Sequence, residues 1–120
     1  VLHFPPPISL YHPAGMFGLM MMTSGKHTDP ENVAKAQALK DATMGWFIAQ
    51  NLKSKFVHLN GNYHSDFKKG IITYLNKYRP GLKIATVCSV RQDDIKKLGE
   101  ENEGRADFYI CVPTDMTMTY

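Results

Sequence analysis

The chain has 120 residues, of which 43% are hydrophobic, and this length and composition suit one globular domain with a single core. Its net charge of +3 comes from lysines and arginines that are scattered along the chain. The sequence therefore lacks the clustered basic stripe of a nucleic-acid-binding protein, and we expect no nucleic-acid partner. The apolar run at residues 15–23 is far too short to span a membrane.

Residues 1–28 are predicted to form an extended arm followed by a short helix. Pro5, Pro6 and Pro7 favour polyproline II and exclude a helix. The helix is predicted over residues 14–23, and its methionines either fill gaps in a core or line a flat apolar ligand pocket. The apolar residues of the arm indicate that it packs against a partner or another part of the protein.

A long helix is predicted to begin at Pro30 and to run to about residue 51, because Asp29 suits the N-cap and Pro30 the first helical position. Gln37 and Asp41 lie one turn apart and share a face. Gly45 costs roughly 1 kcal/mol relative to alanine in a helix, so we expect it to allow the close approach of another backbone. The predicted stripe, most of which is apolar, recurs at three- and four-residue steps and consists of Val33, Ala36, Lys40, Met44, Phe47 and Ile48. Gln37, Lys40 and Asp41 are predicted to lie close together on the neighbouring face.

A buried strand is predicted at residues 55–60, since Phe56, Val57 and Leu59 suit such a strand and Gly61 ends it. Residues 62–66 then place a tyrosine, a histidine and an aspartate at the carboxyl end of the strand. In open α/β sheets, ligands bind outside the carboxyl ends of the strands. The alternative is an ordinary turn in which His64 only caps the next helix.

The remaining chain is predicted to alternate helices and strands. A helix at 67–78 is stopped by Arg79-Pro80-Gly81, and a buried strand follows at 83–90. A short polar helix at 92–99, an acidic loop at 100–103 and a strand at 107–112 complete the prediction. Ile71, Ile72 and Leu75 form the buried side of the first of these helices. This order predicts an α/β fold with a mostly parallel sheet and right-handed crossovers. Cys88 and Cys111 are predicted to be buried thiols, with a cross-strand disulfide as the alternative.

Two segments resemble the ChaN-like haem-binding uptake proteins of the Tiki superfamily. Residues 36–44 are similar to that family's Gln-x-x-x-Asp-x-x-Met helix, with Gln37, Asp41 and Met44 at the motif positions. Residues 59–64 are similar to its Gly-x-x-His strand end, with Gly61 and His64 in place. The resemblance covers about residues 33–113, whereas residues 1–27 do not resemble the family's early Gly-Glu-x-His strand.

The resemblance implies a three-layer α/β/α fold with a mostly parallel sheet, of which this chain is the C-terminal portion. Residues 1–28 would be the arm with its methionine-rich helix, and residues 29–120 the α/β portion. A homodimer or a partner chain that completes the fold is expected, because a lone half-sheet leaves its edges unpaired.

The implied function is non-covalent haem binding in iron acquisition, in the periplasm or at the outer membrane of a bacterium. Attachment to the membrane would occur only through a lipid anchor that this chain does not include. A haem site needs an axial iron ligand, an apolar slot and cations for the propionates. The candidate site residues are Gln37, Lys40, Asp41, Met44, Gly61, Tyr63, His64 and Asp66. The iron ligand is left open among Tyr63, His64 and Tyr11, while Phe67 could face the ring and Lys68 or Lys69 could pair with propionates.

Asp41 is predicted to orient His64 and to fix its tautomer; the alternative is that Gln37 and Asp41 are an ordinary polar helix edge.

Two other functions stay open. The Gly-x-x-His element recurs in Tiki-type metalloproteases and erythromycin-esterase-like hydrolases, so His64 and Tyr63 are also candidate ligands of a divalent metal that activates water. The third function is a non-catalytic interaction module in which the arm and the methionine-rich helix dock on a partner.

Overall fold

The computed structural model describes residues 30–117, which form two helices and two strands. Helix α1 is Pro30–Asn51, α2 is Ile71–Tyr78, strand β1 is Val87–Gln92 and β2 is Phe108–Pro113. Short 3-10 turns occur at Asn62–His64, Asp66–Lys68 and Glu100–Asn102. No helix among the residues described is long and apolar enough to cross a membrane. The predictions for the arm, the methionine-rich helix, the Asp29 cap and Tyr11 lie outside these residues.

Helices α1 and α2 pack closely, and Gly45 is the reason. A Cβ atom at Gly45 would lie 3.1 Å from the carbonyl oxygen of Ile71 and 3.1 Å from the backbone nitrogen of Leu75. The close approach that the sequence predicted at this glycine is confirmed. Ile48 and Ala49 complete the contact with Ile71 and Leu75, which are 3% and 7% exposed.

The two helices run in the same direction. Asp41, in the middle of α1, lies beside Gly70 at the start of α2. At the other end, the Arg79 guanidinium donates to the carbonyl groups of Ala49 and Leu52 at 3.1 and 2.7 Å. This parallel arrangement is the one expected when helices connect parallel strands.

The buried face of α1 differs from the predicted stripe. It consists of Ala34, Asp41, Ala42, Gly45, Ile48 and Ala49. Ala36 and Lys40 are exposed and Phe47 is 56% exposed, so the prediction is wrong at these positions. Small side chains predominate on this face because they let the backbones of α1 and α2 approach closely. A prediction based on the larger hydrophobic side chains therefore selected the wrong positions.

Strands β1 and β2 form a parallel pair whose register runs from Val87 opposite Phe108 to Gln92 opposite Pro113. The parallel pairing is confirmed, although β1 begins four residues later than the predicted strand. Alternate residues of β1 are buried, namely Cys88, Val90 and Gln92. The described residues are thus an α/β unit with a small parallel sheet, and the three-layer arrangement stays a prediction.

Residues 55–60 do not form a strand, so the predicted buried strand is wrong. The segment pairs with no described strand, and Val57 and Leu59 are 84% and 89% exposed. An apolar run becomes a strand only where a neighbour satisfies its backbone N–H and C=O groups. In residues 30–117 the hydrogen-bonded neighbour of β1 is β2.

Residues 92–99 also differ from the prediction, since Gln92 ends β1 and residues 93–99 form bends and a turn and not a helix. The side chain of Gln92 donates to the carbonyl oxygens of Asp94 and Lys97, and it accepts from the N–H of Gly99 at 3.1 Å. These bonds replace the backbone bonds that a helix would make.

Both cysteines are free thiols. Cys88 is buried, as predicted, and Cys111 is half-buried in the neighbouring strand. The structure therefore does not contain the alternative cross-strand disulfide.

Candidate functional site

A histidine–aspartate pair lies where the loop after α1 reaches α2. His64 ends the Asn62–His64 turn, and its Nδ1 is 2.6 Å from Oδ1 of Asp41. The side chain of His64 is 20% exposed, whereas that of Asp41 is 8% exposed. Because an ionised carboxylate can only accept, Nδ1 is the donor in this contact, and in the neutral imidazole Nε2 then has a lone pair for a ligand.

Gly70 makes room for this pair. Its backbone has φ +54° and ψ −122°, a conformation that L side chains rarely adopt. A Cβ atom here would lie 2.4 Å from the carbonyl oxygen of His64 and 3.1 Å from Oδ2 of Asp41. The sequence places Gly70 inside the helix predicted at residues 67–78, but in the structure that helix begins after Gly70, at Ile71.

Burial controls the electrostatics of Asp41. Desolvation raises the pKa of its carboxyl group, and the hydrogen bond and charge of His64 partly offset that rise. The pKa of Tyr74, on the facing side of α2, is raised by burial and then by the negative charge of Asp41. Asp41 thus interacts electrostatically with both His64 and Tyr74.

Two buried polar atoms near this pair have no hydrogen-bond partner among the described residues. They are Oε1 of Gln37, one turn before Asp41 on α1, and the hydroxyl of Tyr74, which is 4% exposed. Buried polar atoms are rarely left without a partner in native proteins. The surroundings of Asp41 can therefore bond a further polar group.

Tyr63 joins the pair through its ring. Its ring centroid lies 5.5 Å from that of His64, and the two planes meet at 84°. Gly61 precedes them, with no heavy atom within 4 Å of the position that a Cβ would take. The structure therefore brings together Asp41, Tyr63 and His64 from the predicted set, with Gln37 one helical turn away.

Asp66 lies in a different set of contacts. Its Oδ2 accepts from Nη2 and Nε of Arg105 at 2.7 and 3.1 Å, and its Oδ1 is 3.8 Å from Sγ of Cys88. The hydrogen bond that Arg105 donates to Asp66 raises the pKa of Arg105, and burial raises the pKa of Cys88. These contacts anchor the loop to the β1–β2 side and do not connect Asp66 to His64.

The other predicted residues are dispersed. Nζ of Lys68 pairs with Oδ1 of Asp107 at 2.7 Å, and Nζ of Lys69 lies 6.0 Å from the ring centroid of Phe67. Met44 packs against the core cluster, whereas Lys40 is exposed on α1. A propionate role for any of these lysines stays a prediction.

Residues 30–117 contain no cluster of three or more His, Cys, Asp or Glu side chains that could hold a metal ion. The pair of His64 and Asp41 supplies two such groups, and Tyr63 would be a ligand of a different type. Metal binding at His64 and Tyr63 therefore stays a prediction.

Sequence reasoning missed a cavity of about 560 Å³ beside the histidine–aspartate pair. It lies between the extended residues 55–60 and residues 82–87, and we call it the basic groove because Lys55, His58 and Lys83 are among its lining residues. Ser65 lines the basic groove, but His64 does not. The signal in the sequence was the alternation of Phe56, His58 and Asn60, all of which line it.

The family model described as "Haem-binding uptake, Tiki superfamily, ChaN" matches residues 5–75 of this chain. The match covers more than half of the chain and includes α1, Gly61 and His64. The match begins at residue 5, within the segment 1–27 that was predicted to lie outside the resemblance. It ends at residue 75, in α2, whereas the predicted resemblance continues to residue 113. The family match therefore begins earlier in the chain than the predicted resemblance, and it ends earlier. No curated protein and no solved structure matches the chain.

Proposed function

Since this chain belongs to the ChaN-like haem-binding uptake family of the Tiki superfamily, we propose that it binds haem non-covalently and takes part in haem and iron uptake. The observation that carries the proposal is the 2.6 Å contact between His64 Nδ1 and Asp41. Within the proposal we place this uptake in the periplasm or at the outer membrane of a bacterium.

The donor chemistry of the pair fits an axial ligand. Histidine ligands commonly donate their second ring nitrogen to a carboxylate, which fixes the tautomer and raises the basicity of the ligating nitrogen. His64 donates Nδ1–H to Asp41 and presents Nε2. Haem, when bound, supplies an iron centre that accepts a nitrogen or phenolate ligand.

The neighbouring residues have distinct parts in the proposal. Asp41 holds the imidazole and stabilises positive charge on it, because the carboxylate is buried next to the ring. Tyr63 is the second candidate ligand, since its ring stands edge-on to His64. The unpartnered Oε1 of Gln37 and hydroxyl of Tyr74 add polar groups that can bond a further ligand atom.

A hemin titration followed by the Soret band tests the proposal. We expect saturable binding near one equivalent, and we expect His64→Ala to shift the band and to weaken binding. Asp41→Asn should keep the ligand but weaken binding by roughly 10–100-fold, the usual effect of losing the partner of a metal-bound histidine.

Two further variants complete the design. His58→Ala is the matched histidine control and should leave the position of the Soret band unchanged, whereas Tyr63→Phe separates phenolate from imidazole ligation. A band that none of the His64, Asp41 and Tyr63 variants alters would contradict ligation at this pair. Binding that does not saturate would contradict a specific haem site altogether.

A further inference from the structure

The chain that follows His64 contains a strained turn. Phe67 and Lys68 have φ of 57° and 55°, in the left-handed region that favours glycine. A positive φ is uncommon for other residues, and for a bulky side chain such as that of phenylalanine it is an outlier. A residue keeps such a conformation only where its surroundings hold it. Contacts from another part of the chain must therefore hold residues 66–68, which we call the strained turn.

Arg105 provides these contacts through both its side chain and its main chain. Its Nη2 and Nε donate to Oδ2 of Asp66 at 2.7 and 3.1 Å, and its carbonyl oxygen accepts from the N–H of Phe67 at 2.8 Å. The guanidinium group is itself fixed, because Nη1 donates at 2.7 Å to Oδ1 of Asn102, which is 5% exposed. Hydrogen bonds between ionised groups are roughly twice as strong as neutral ones. One residue thus fixes two consecutive positions of the strained turn.

The strained turn is coupled to His64 through the backbone. The N–H of Ser65 donates to the carbonyl oxygen of Asn62 at 3.0 Å, and the N–H of Lys68 donates to that of Ser65 at 3.1 Å. The turn that contains His64 therefore leads directly into the strained turn. Beyond the strained turn, a Cβ atom at Gly70 would lie 2.4 Å from the carbonyl oxygen of His64. A shift of the strained turn must consequently move His64.

His64 is thus held from two sides. On one side its Nδ1 is 2.6 Å from Oδ1 of Asp41, on α1. On the other side Arg105, in the segment that leads into β2, holds the strained turn. The two anchors belong to different elements of the fold, so the imidazole meets the carboxylate in this geometry only while both are in place.

We propose that Arg105 is a positioning residue for haem ligation: by holding Asp66 and Phe67, it keeps His64 in register with Asp41. The inference rests on the proposed function, because it assigns a role to a residue that acts through the proposed ligand. It also goes beyond the family match, which covers residues 5–75 and does not include Arg105. Asp66 then contributes to the site through Arg105 and the backbone.

The test begins with the full chain without haem, with its histidine ring nitrogens labelled with ¹⁵N and read by NMR at alkaline pH, where imidazole rings are neutral. His64→Ala assigns the His64 signals. In the native chain we expect a protonated Nδ1 and a bare Nε2, which have well-separated shifts. In Arg105→Ala the separation should shrink as the second tautomer becomes populated, and hemin affinity should fall by about tenfold, as for the loss of an outer partner of a metal ligand.

Arg79→Ala is the matched control. It removes an arginine that also bridges two segments, by donating to the carbonyl groups of Ala49 and Leu52, but at the opposite end of α2 from Gly70. A general loss of stability would affect both variants alike. We expect Arg79→Ala to leave the nitrogen shifts of His64 and the hemin affinity unchanged.

A rescue variant tests the strained turn itself. Glycine adopts a positive φ without strain, so in the Phe67→Gly background the turn needs less support. Arg105→Ala should therefore change the His64 nitrogen shifts less in that background than in the native chain. Asp66→Ala should reproduce the effect of Arg105→Ala, and the double variant should be no worse than either, because the two residues act as one pair.

Several results would overturn the proposal. These are unchanged His64 nitrogen shifts in Arg105→Ala, an equal change in Arg79→Ala, or an equal effect of Arg105→Ala in the Phe67→Gly background. Weaker hemin binding in Arg105→Ala with unchanged nitrogen shifts would also overturn it, because Arg105 would then act on haem directly. If circular dichroism shows Arg105→Ala to be unfolded, Arg105→Lys takes its place. That variant keeps the charge but not the planar fork, so it should give a smaller change in the same direction.

Failure of this proposal is distinct from failure of the proposed function. If the native chain does not bind hemin, haem uptake is contradicted, but the nitrogen shifts of the haem-free chain still show whether Arg105 positions His64. If hemin binds through His64 and the nitrogen shifts do not depend on Arg105, haem ligation stands and the positioning role is wrong.

Discussion

Replacing Gly70 with alanine should damage both the stability of the protein and the geometry of the His64–Asp41 pair. The backbone at Gly70 has φ +54°, so the alanine side chain is strained whatever space it finds. In addition, its Cβ would lie 2.4 Å from the carbonyl oxygen of His64, whereas real Cβ contacts under 3.0 Å are essentially unknown. The backbone of His64 or the start of α2 must therefore move.

The expected magnitude follows from these two costs. A residue held in a sparsely populated backbone region costs about 1–3 kcal/mol, and overpacking against fixed neighbours costs typically 1–3 kcal/mol more. We therefore expect Gly70→Ala to lower the free energy of unfolding by about 2–6 kcal/mol. Gly81→Ala is the matched control, because Gly81 has φ +84° but no heavy atom within 4 Å of the added Cβ. It should show the conformational cost alone.

Urea denaturation followed by circular dichroism measures both variants, and a hemin titration of Gly70→Ala reports on the pair. The reasoning would be refuted if Gly70→Ala and Gly81→Ala lost the same free energy of unfolding. In that case the contact with His64 would carry no cost. An unchanged hemin response in a clearly destabilised Gly70→Ala would separate haem binding from the position of His64.

Three further predictions concern stability. The hydrogen bond from Lys68 lowers the pKa of Asp107, so the stabilisation from this carboxylate is present above its ordinary pKa of 3.8 and is lost as the pH falls through the native pKa. Asp107→Asn should remove that loss in urea titrations below about pH 5. Burial raises the pKa of Asp41, so the stabilisation linked to its protonated carboxyl group is present below pH 3.8 and is lost as the pH rises through the native pKa. Asp41→Asn should flatten this dependence of stability on pH, which is opposite to that of Asp107. Gly45→Ala should lower the melting temperature, because the added Cβ would lie 3.1 Å from two backbone atoms of α2. This loss should exceed the gain of about 1 kcal/mol that alanine gives over glycine in an isolated helix. A higher melting temperature would contradict this packing argument.

The features that the sequence predicted correctly depend on local chemistry. Helix α1 begins at Pro30 and ends at Asn51, as a proline at the first helical position and the length of the pattern indicated. Helix α2 ends at Tyr78, before Arg79-Pro80-Gly81, for similar reasons. The contact between Asp41 and His64 was predicted from a resemblance and from the chemistry of histidine ligands, and the structure contains it.

The features that could not be predicted depend on distant partners. The carboxylate of Asp66, a candidate binding residue, pairs with Arg105, which lies 39 residues later in the chain. Residues 55–60 have the pattern of a buried strand, but a pattern does not reveal whether a neighbouring strand exists. The lysines of the basic groove come from two segments that are far apart in sequence, and helix packing brings them to one cavity.

The exposed segment at residues 55–60 has a consequence for how the protein is handled. Proteases cut extended, exposed backbone first, and trypsin recognises Lys53 and Lys55 at the start of this segment, both of which are exposed. A single cut there would separate α1, which carries Asp41, from the half of the chain that carries His64. The 2.6 Å contact between them would then join two polypeptides held together by the packing of α1 on α2. Cleavage at this one point therefore converts His64 and Asp41 from an intramolecular pair into an intermolecular one.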